Sequence, residues 1–327
     1  MINLQTTVDL RRLPQYDESS REYCNCPLCG ADDYTVLDSE RGLSIAKCKQ
    51  CDMVYTNPRA VNAEQSYFYE TDFFYQEALL IFQNKKPHHR DRNYVYELQK
   101  IKKAKPHGKL LDVGTNMGFF LRKAREMGYD TEGVEPSPQL CEIASEHFHL
   151  KMHNAFLNDA NLPLENYDVI TLIDVFEHVV DPKGMLQRCS ELLKNDGIIA
   201  VKVPNADYTH FKMKLARNYG LFYNSGDIWD CGEHVSHYTI PTFTKMADTC
   251  GFKVIYHGVP LPIHTPVWHN YVGKYYQYPS PFFMDWKRIL LRNFFYYAGK
   301  LEHALGFKKL NFAPDLMFII QKKQHAG

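Results

Sequence analysis

Four cysteines near the N-terminus have the spacing of a metal site. They form two Cys-x-x-Cys pairs, CPLC and CKQC, in the order Cys26, Cys29, Cys48 and Cys51. Two such pairs can supply four thiolates in a tetrahedron, which predicts a zinc ribbon. Because four sulfurs leave no open coordination position, we expect a structural zinc and not a catalytic one. A fifth cysteine, Cys24, is left outside the pattern.

A glycine-containing turn forms a second candidate site. The segment KLLDVGTNMGFFLRK (109–123) has the layout of a strand that enters a helix through Gly114 and Gly118. A dinucleotide-binding loop would read G-x-G-x-x-G, but Asn116 occupies the middle position here. Asparagine tolerates left-handed backbone angles, so the turn can still form. Asp112, at the strand end, places a carboxylate where an ammonium group fits better than a pyrophosphate.

A second carboxylate narrows the ligand further. Glu135 ends the strand-like segment TEGVE, and an acid at the end of the second strand of such a sheet accepts hydrogen bonds from ribose hydroxyls. Together, Asp112 and Glu135 indicate a ligand with a ribose and a positively charged amino group, without phosphates. S-adenosylmethionine has this combination of groups.

The elements that must position these residues alternate along the chain. From residue 109 onward, continuous Val/Ile/Leu runs alternate with segments of helical spacing. This alternation predicts an α/β fold with a parallel sheet covered by helices on both faces. The segment DLMFIIQKK, near the C-terminus, is expected to be a late edge strand of the same sheet.

The expected organisation has three parts. A zinc ribbon at 21–60 is followed by a partly helical segment at 61–104 that covers the active site. The main domain, 105–327, carries insertions at 206–232 and 260–313. The second insertion has apolar residues at helical spacing, which we expect to pack on the core or on a second subunit of a homodimer; a substrate lid or a membrane-surface helix is the alternative. These residues are Trp286, Ile289, Leu290, Phe294, Tyr297, Leu301 and Leu305.

The chain resembles the class I S-adenosylmethionine-dependent methyltransferases. Five segments occur in the family's order across 109–255: LLDVGTNMGFFL, GYDTEGVEPSP, YDVITLIDVFEHVVDPKGML, LLKNDGIIAVKVPN and EHVSHYT…MADTCGF. The resemblance implies a Rossmann-like, seven-stranded sheet whose glycine turn holds the methionine part of the cofactor and whose acid after the second strand holds the ribose. By motif match, the cofactor-binding residues are Asp112, Gly114, Asn116, Gly118 and Glu135.

The chain departs from the family pattern in two places. The usual turn, G-C-G-T-G, differs here at the three positions after Gly114. The family often has an acid after the third strand that contacts the adenine; this chain has Asn154 there, with Asp159 as a nearby alternative.

The resemblance also implies that DVFEHV lines the cofactor and faces the acceptor. In this segment we expect Asp174 to bind the cofactor and His178 to act in catalysis. The alternative is that Glu177 and His178 are a capping pair ahead of the next helix.

The segment CGEHVSHYT is similar to the Glu-His segment of sugar C-methyltransferases, where the pair serves proton abstraction. By that match Glu233 and His234 are the leading candidates for the general base, and His237 is a third. Histidine suits proton transfer near neutral pH. Cys231 replaces a tyrosine of those enzymes, which weakens the case for C-methylation. A structural role for His234 is the alternative.

The same ribbon, followed by VYTNPR and YFYETDFFY, is found in sugar C-methyltransferases and in bacterial methyltransferases linked to surface polysaccharides. The resemblance therefore places Tyr67, Tyr69 and Tyr75 in the acceptor pocket, with core packing as the alternative. A nucleotide-linked sugar or glycan is the acceptor that we expect first. An aromatic or lipid-like acceptor, or a module that binds the cofactor without catalysis, is the alternative.

Composition limits the partners and the compartment. Basic and acidic residues balance at 38 each, so nucleic acid is not an expected partner. No run reaches the length of a membrane span, and the N-terminal segment lacks an apolar core of signal-peptide length. With no export signal, the clustered cysteines indicate metal and not disulfides, and we expect a cytoplasmic protein.

Overall fold

The fold is known from a computed structural model, which describes residues 15–61, 81–82, 88, 90–219, 228–262 and 282–323, without side chains at 282–289. Tyr67, Tyr69 and Tyr75 lie outside these residues. The N-terminal strands are β1 (Arg21–Glu22), β2 (Tyr34–Glu40), β3 (Leu43–Cys48), β4 (Val54–Thr56) and β5 (Arg59–Ala60). The later strands are β6 (Lys109–Val113), β7 (Asp130–Val134), β8 (Lys151–His153), β9 (Tyr167–Ile173), β10 (Leu193–Pro204), β11 (Ser236–His237), β12 (Phe252–Gly258) and β13 (Asp315–Lys322).

Seven α-helices connect these strands within the described ranges. They are α1 (Asp91–Ala104), α2 (Phe119–Glu126), α3 (Pro138–Phe148), α4 (Pro182–Leu192), α5 (Ala206–Tyr219), α6 (Ile240–Thr249) and α7 (Phe282–Ala304). Three of them begin at a side-chain cap and have proline at the first or second helical position: Ser137 caps α3, Asp181 caps α4 and Thr239 caps α6. Each cap accepts a backbone N–H that would otherwise lack a partner, and proline needs none at the first turn.

The central sheet has seven strands in the order β12-β13-β10-β9-β6-β7-β8. The pairs along β8, β7, β6, β9 and β10 are parallel, while β13 runs antiparallel to both of its neighbours. Buried side chains pack on the sheet in two large clusters. The predicted α/β fold with a Rossmann-like, mostly parallel seven-stranded sheet is therefore confirmed. In this order β9 is the middle strand, and β6, the strand of the glycine turn, lies directly beside it.

The prediction that DLMFIIQKK forms an edge strand is wrong. β13 lies between β10 and β12 and hydrogen-bonds to both. Five consecutive residues of β13, from Leu316 to Ile320, are at most 1% exposed. A continuous buried run of this kind fits a strand with neighbours on both sides. The edge position belongs to β12, in which exposed residues alternate with half-buried ones between two buried ends.

A second, antiparallel sheet lies in the cysteine-rich region and has the order β11-β4-β3-β2. Cys48 ends its strand β3, while Cys26, Cys29 and Cys51 lie outside its strands. Three of its strands come from the N-terminal region, but β11 comes from the main domain and pairs with β4. Buried residues of the cysteine-rich segment, among them Cys26 and Tyr55, share a core cluster with the central sheet. The N-terminal region is therefore packed onto the main domain. The domain boundaries drawn from the sequence remain a prediction.

Helix α7 confirms the helical spacing of the second insertion but not the packing of its apolar residues on the core. Phe295 and Tyr296 are buried. Five side chains of the predicted stripe are instead more than half exposed: Leu290, Phe294, Tyr297, Leu301 and Leu305. The side chains of Trp286 and Ile289 lie outside the described residues. Among the helices that the structure describes, α7 included, none is long and apolar enough to cross a bilayer.

Candidate functional site

The glycine turn joins β6 to α2 and depends on left-handed backbone angles. The φ angle is 68° at Gly114, 52° at Asn116 and 83° at Gly118. A Cβ atom on Gly114 would lie 2.6 Å from Cγ2 of Val175, so a larger residue would clash as well as strain the backbone. Asn116 takes the left-handed conformation, as the sequence predicted. The turn therefore forms without the middle glycine of a dinucleotide loop.

Glu135 ties the glycine turn to the end of β7. One oxygen of its carboxylate accepts the N–H of Asn116 at 2.8 Å, and the other accepts the N–H of Ser137 at 3.0 Å. Glu135 is buried, and burial raises the pKa of its carboxyl. These bonds fix the carboxylate at the carboxyl edge of the sheet, directly beside the turn.

Asp112 is also buried, at the end of β6. The hydroxyl of Thr171, on β9, donates to its Oδ1 at 2.6 Å. Burial raises the pKa of Asp112 to about 7, and the charge of Glu135 adds to this effect. The structure thus brings both predicted carboxylates to one edge of the sheet. Asp112 bonds to a neighbouring strand there, and its contact with an ammonium group remains a prediction.

The hydrogen-bonding groups at this edge fit S-adenosylmethionine. A carboxylate can accept about four hydrogen bonds, and Glu135 uses two of them on backbone N–H groups. Acceptor capacity therefore remains for the two hydroxyls of a ribose. Beyond β8, the side-chain amide of Asn154 donates to the carbonyl oxygens of Glu135 and Pro136 at 3.1 and 2.9 Å. This arrangement leaves the amide oxygen of Asn154 as an acceptor for an adenine amino group.

Asp174 follows β9 at the same edge and is held by two cations. Lys202 Nζ donates to its Oδ1 at 2.5 Å, and the guanidinium of Arg90 pairs with its Oδ2. Burial alone would raise the pKa of Asp174, but the charges of Arg90 and Lys202 hold it below the ordinary value. The carboxylate is therefore ionised and fixed in place.

Sequence reasoning missed Arg90 and Lys202. Lys202 is 1% exposed and interrupts the apolar run IIAVKV of β10. A lysine inside such a run is a signal that a buried anion lies nearby, because a buried ammonium group needs a partner. Arg90 carries no comparable signal, since it lies in the polar stretch HHRDR ahead of α1.

Three of the predicted catalytic residues come together beside Asp174. The rings of His178 and His234 have centroids 4.8 Å apart, and those of His234 and His237 are 6.3 Å apart. Nδ1 of His178 lies 3.1 Å from the backbone oxygen of Glu233, and since a carbonyl can only accept, Nδ1 donates. Burial lowers the pKa of all three histidines, to about 3 for His237. The imidazoles are therefore neutral near pH 7, and each keeps one ring nitrogen without a proton.

The cysteine-rich sheet holds the segment that carries His234. β11 pairs with β4 so that Ser236 lies opposite Tyr55 and His237 opposite Val54. The hydroxyl of Thr56 donates to the backbone oxygen of His234 at 2.7 Å and lies 3.3 Å from Nε2 of His237. The sequence placed these histidines near a substrate pocket but gave no sign that the cysteine-rich segment would contact them.

The four predicted cysteine ligands lie together. Their sulfur atoms are all within 4.8 Å of one another, and the pairs Cys26–Cys51 and Cys29–Cys48 are each 3.5 Å apart. The sulfurs of a tetrahedral zinc site are about 3.8 Å apart, as follows from a Zn–S distance of about 2.3 Å. All four cysteines are free of disulfides, and Cys24 lies outside the cluster. The donor set therefore fits zinc.

The sheet order, with buried carboxylates at the carboxyl ends of β6 and β7, is that of a Rossmann-like methyltransferase domain. A sequence model of the methyltransferase domain family matches residues 87–257, a little over half of the 327 residues. The chain belongs to this methyltransferase domain family, as its resemblance to the S-adenosylmethionine-dependent enzymes implied.

Two curated relatives share part of this domain. The chain is 30% identical over 107 residues to a ubiquinone biosynthesis O-methyltransferase of Haemophilus ducreyi, which is 30% of this chain and 45% of the relative. It is 26% identical over 112 residues to the enzyme of that name from Rhodopseudomonas palustris, which is 33% of this chain and 44% of the relative. The chain thus spans less than half of the length of these curated relatives.

Two solved structures are similar over more of the chain. The 1,6-didemethyltoxoflavin-N1-methyltransferase of Burkholderia thailandensis superimposes with a TM-score of 0.48 at 11% identity and covers 89% of this chain and 100% of its own. A methyltransferase of Thermotoga maritima, described as a possible histamine N-methyltransferase, gives a TM-score of 0.46 at 15% identity and covers 79% and 97%.

Proposed function

We propose that this protein transfers a methyl group from S-adenosylmethionine to a small acceptor. One observation carries the proposal: the glycine turn, Glu135, Asp174 and the pair His178–His234 lie at one edge of one sheet. In an open α/β sheet, ligands bind beyond the carboxyl ends of the strands. The turn and Glu135 would hold the cofactor, and the histidines would face the acceptor.

The chain's own residues fit the chemistry of the transfer. When bound, the cofactor supplies a methyl group on a positively charged sulfur. As the acceptor atom bonds to the methyl carbon and the carbon–sulfur bond breaks, the acceptor loses a proton, and we propose His234 as the base that accepts it. Glu233 is proposed beside His234 for this role, and His178 and His237 are the further candidates. Burial, which lowers the pKa of His234, keeps its imidazole neutral before the transfer.

The acceptor class is a narrower proposal. The similarity of the Glu233–His234 segment to sugar C-methyltransferases supports a nucleotide-linked sugar or glycan. The relatives named ubiquinone biosynthesis O-methyltransferase support an aromatic hydroxyl instead. These relatives match a third or less of the chain, so they do not decide between the two acceptor classes. We therefore keep the sugar as the first candidate and propose a hydroxyl-bearing aromatic acceptor as the second.

A turnover assay across acceptor classes tests the proposal. Purified protein and S-adenosylmethionine would be incubated with sugar nucleotides, with catechols and with isoprenoid phenols, and S-adenosylhomocysteine release would be measured. Product from one class, lost in His234→Gln, is the expected result. Cofactor binding without methylation of any acceptor would favour a module that binds the cofactor and does not use it.

A structural zinc is part of the proposal. The distances among Cys26, Cys29, Cys48 and Cys51 support it, and the closed sulfur set supports a structural role. A zinc ion there would stabilise the sheet that contains Thr56, whose hydroxyl donates to the backbone oxygen of His234. The ion would therefore act on catalysis only through the position of that segment.

The expected homodimer and the cytoplasmic location remain predictions. The exposed apolar face of α7 supports an association, because contiguous apolar patches on a protein surface mark interaction sites. A membrane surface is the alternative occupant of this face. Light scattering measures the mass of wild-type protein and of Leu301→Glu in solution. We expect the mass of a dimer for wild type and that of a monomer for Leu301→Glu, whereas a monomeric wild type would contradict the homodimer.

A further inference from the structure

Glu177 has a buried carboxylate oxygen that the methyl-transfer scheme does not use. The residue is 2% exposed and lies in the 3-10 helix Phe176–His178 that follows β9. Within the described part of the chain, its Oε2 has no hydrogen-bond partner. An unpaired carboxylate oxygen away from water is costly, so such a group usually has a ligand or a role.

Two imidazoles face this carboxylate. One donor atom each from Glu177, His178 and His234 can be chosen so that all three lie within 4.8 Å of one another. Donor atoms around one ion are at most about 4.2 Å apart, which is twice a typical metal–nitrogen distance. Small side-chain rotations would therefore bring all three onto a single ion.

The surroundings fix the ligands in the way that metal sites require. Because Nδ1 of His178 donates to the backbone oxygen of Glu233, its Nε2 carries the free lone pair. A metal-bound histidine typically donates its other N–H to such an oxygen, which sets the tautomer and the ring orientation. The N–H of Val235 donates to the backbone oxygen of Glu177 at 2.9 Å, so the two ligand-bearing segments are joined. Thr56 holds the backbone of His234 from the other side.

We propose that Glu177, His178 and His234 form a second metal site, which binds a divalent transition-metal ion at the acceptor side of the pocket. Two imidazoles and one carboxylate suit Zn²⁺, Fe²⁺, Co²⁺ or Mn²⁺, and three protein ligands leave coordination positions open. The open positions would take one or two oxygens of the acceptor and orient them toward the methyl group.

The metal site rests on the proposed function for its purpose, and it changes the role of one residue. With a metal bound, His234 is a ligand and not the general base. The acceptor hydroxyl, bound to the cation, then loses its proton to water. An acceptor with two adjacent oxygens, such as a vicinal diol or a catechol, would chelate the ion best.

Mn²⁺ titration followed by electron paramagnetic resonance tests the site. Mn²⁺ prefers oxygen ligands to thiolates, so it reports the site that contains the Glu177 carboxylate and not the cysteine cluster. We expect wild-type protein to bind one Mn²⁺ per chain, and Glu177→Gln and His178→Gln to bind it at least roughly tenfold more weakly. The matched controls Glu142→Gln and His107→Gln, at exposed positions, should bind as wild type does.

Two further measurements keep the outcomes separate. Thermal unfolding of each variant shows whether a loss of Mn²⁺ binding comes from loss of the fold. Calorimetry with S-adenosylhomocysteine, without Mn²⁺, tests the cofactor site alone. A protein that binds S-adenosylhomocysteine but no Mn²⁺, or whose folded Glu177→Gln and His178→Gln variants bind Mn²⁺ as wild type, would overturn the metal site and leave the proposed function intact. Failure to bind S-adenosylhomocysteine would count against the proposed function only.

Discussion

The hydroxyl of Thr56, in the cysteine-rich sheet, donates to the backbone oxygen of His234, in the main domain, at 2.7 Å. The two residues are 178 positions apart in the chain. Thr56 is fully buried, and the pairing of β4 with β11 continues the contact. The N-terminal region therefore directly supports the segment that carries His234. We expect loss of this contact to change the position of His234 before it changes the cofactor site.

Replacing Thr56 with valine should lower turnover without weakening cofactor binding. Valine has the shape of threonine but cannot donate, so the buried oxygen of His234 loses its partner, at a cost of about 1–3 kcal/mol. A small displacement of a catalytic group can cost roughly tenfold or more in rate. We expect kcat to fall by about tenfold while the Kd for S-adenosylhomocysteine changes by less than about twofold. Thr244→Val, at an exposed position on α6, is the matched control.

An equal fall in kcat in Thr56→Val and Thr244→Val would contradict this role of Thr56. So would a fall in cofactor affinity as large as the fall in kcat, since the Thr56–His234 contact does not involve the glycine turn.

Removal of one cysteine ligand should release the zinc and destabilise the N-terminal region. Cys29→Ser takes away a thiolate of the cluster, whereas Cys24→Ser changes a cysteine outside it. Because a structural zinc contributes folding free energy, Cys29→Ser should lower the midpoint of thermal unfolding. Elemental analysis should find one zinc per chain in wild type and in Cys24→Ser, and little in Cys29→Ser. If wild-type protein contains no zinc, or unfolds at the same temperature with and without zinc, the cysteine cluster is not a structural zinc site.

Substitution of Gly114 should damage cofactor binding more than an equal substitution elsewhere. A Cβ at Gly114 would lie 2.6 Å from Val175, while a Cβ at Gly128 would meet no atom within 4 Å. Both residues have positive φ angles, so Gly114→Ala and Gly128→Ala carry similar backbone strain, and only the first adds a clash. Calorimetry should show a weaker affinity for S-adenosylhomocysteine in Gly114→Ala alone. Similar affinities in the two variants would place the cofactor away from this turn.

Buried histidines should make the fold sensitive to acid. Burial lowers the pKa of His237 to about 3 from an ordinary value of 6.5. Below pH 6.5 the unfolded chain binds a proton at this residue that the folded chain does not bind, so the free energy of unfolding falls as pH falls. The slope for one such residue is about 1.4 kcal/mol per pH unit between these two pKa values.

His237→Gln should remove this part of the pH dependence. Between pH 7 and pH 5, urea unfolding should show a decrease in stability that is smaller by about 2 kcal/mol than in wild type. The exposed residue His107 supplies the control variant His107→Gln, which should keep the wild-type difference. If His237→Gln keeps it as well, His237 is not the residue that couples folding to pH.

The sequence predicted the sheet well because periodicity reports burial. Continuous apolar runs identified the parallel strands, and Asn116 was correctly expected to adopt a left-handed turn. The edge strand was misplaced because local sequence does not say which strands flank β13. The apolar stripe of α7 was expected to pack on the core or on a second subunit, and its exposure counts only against the core. A helical apolar stripe does not say which of the two covers it.

The site was less accessible to sequence than the fold. The cysteine spacing and the order of the motifs pointed to residues that the structure brings together, because each motif is local. The pairing of Asp174 with Arg90 and Lys202, and the support of His234 by Thr56, join residues that are distant in the chain. Such contacts depend on the packing of whole elements, and no local pattern encodes them.

Calorimetry of S-adenosylhomocysteine binding to wild type and to Glu135→Gln shows whether Glu135 and the glycine turn hold the cofactor. Glutamine keeps the size of the side chain but has no negative charge and only one acceptor oxygen for the N–H groups of Asn116 and Ser137 and for a ribose. We expect one site per chain in wild type and an affinity at least roughly tenfold weaker in Glu135→Gln, with Glu142→Gln unchanged. No binding by wild type, or equal binding by Glu135→Gln, would contradict the account.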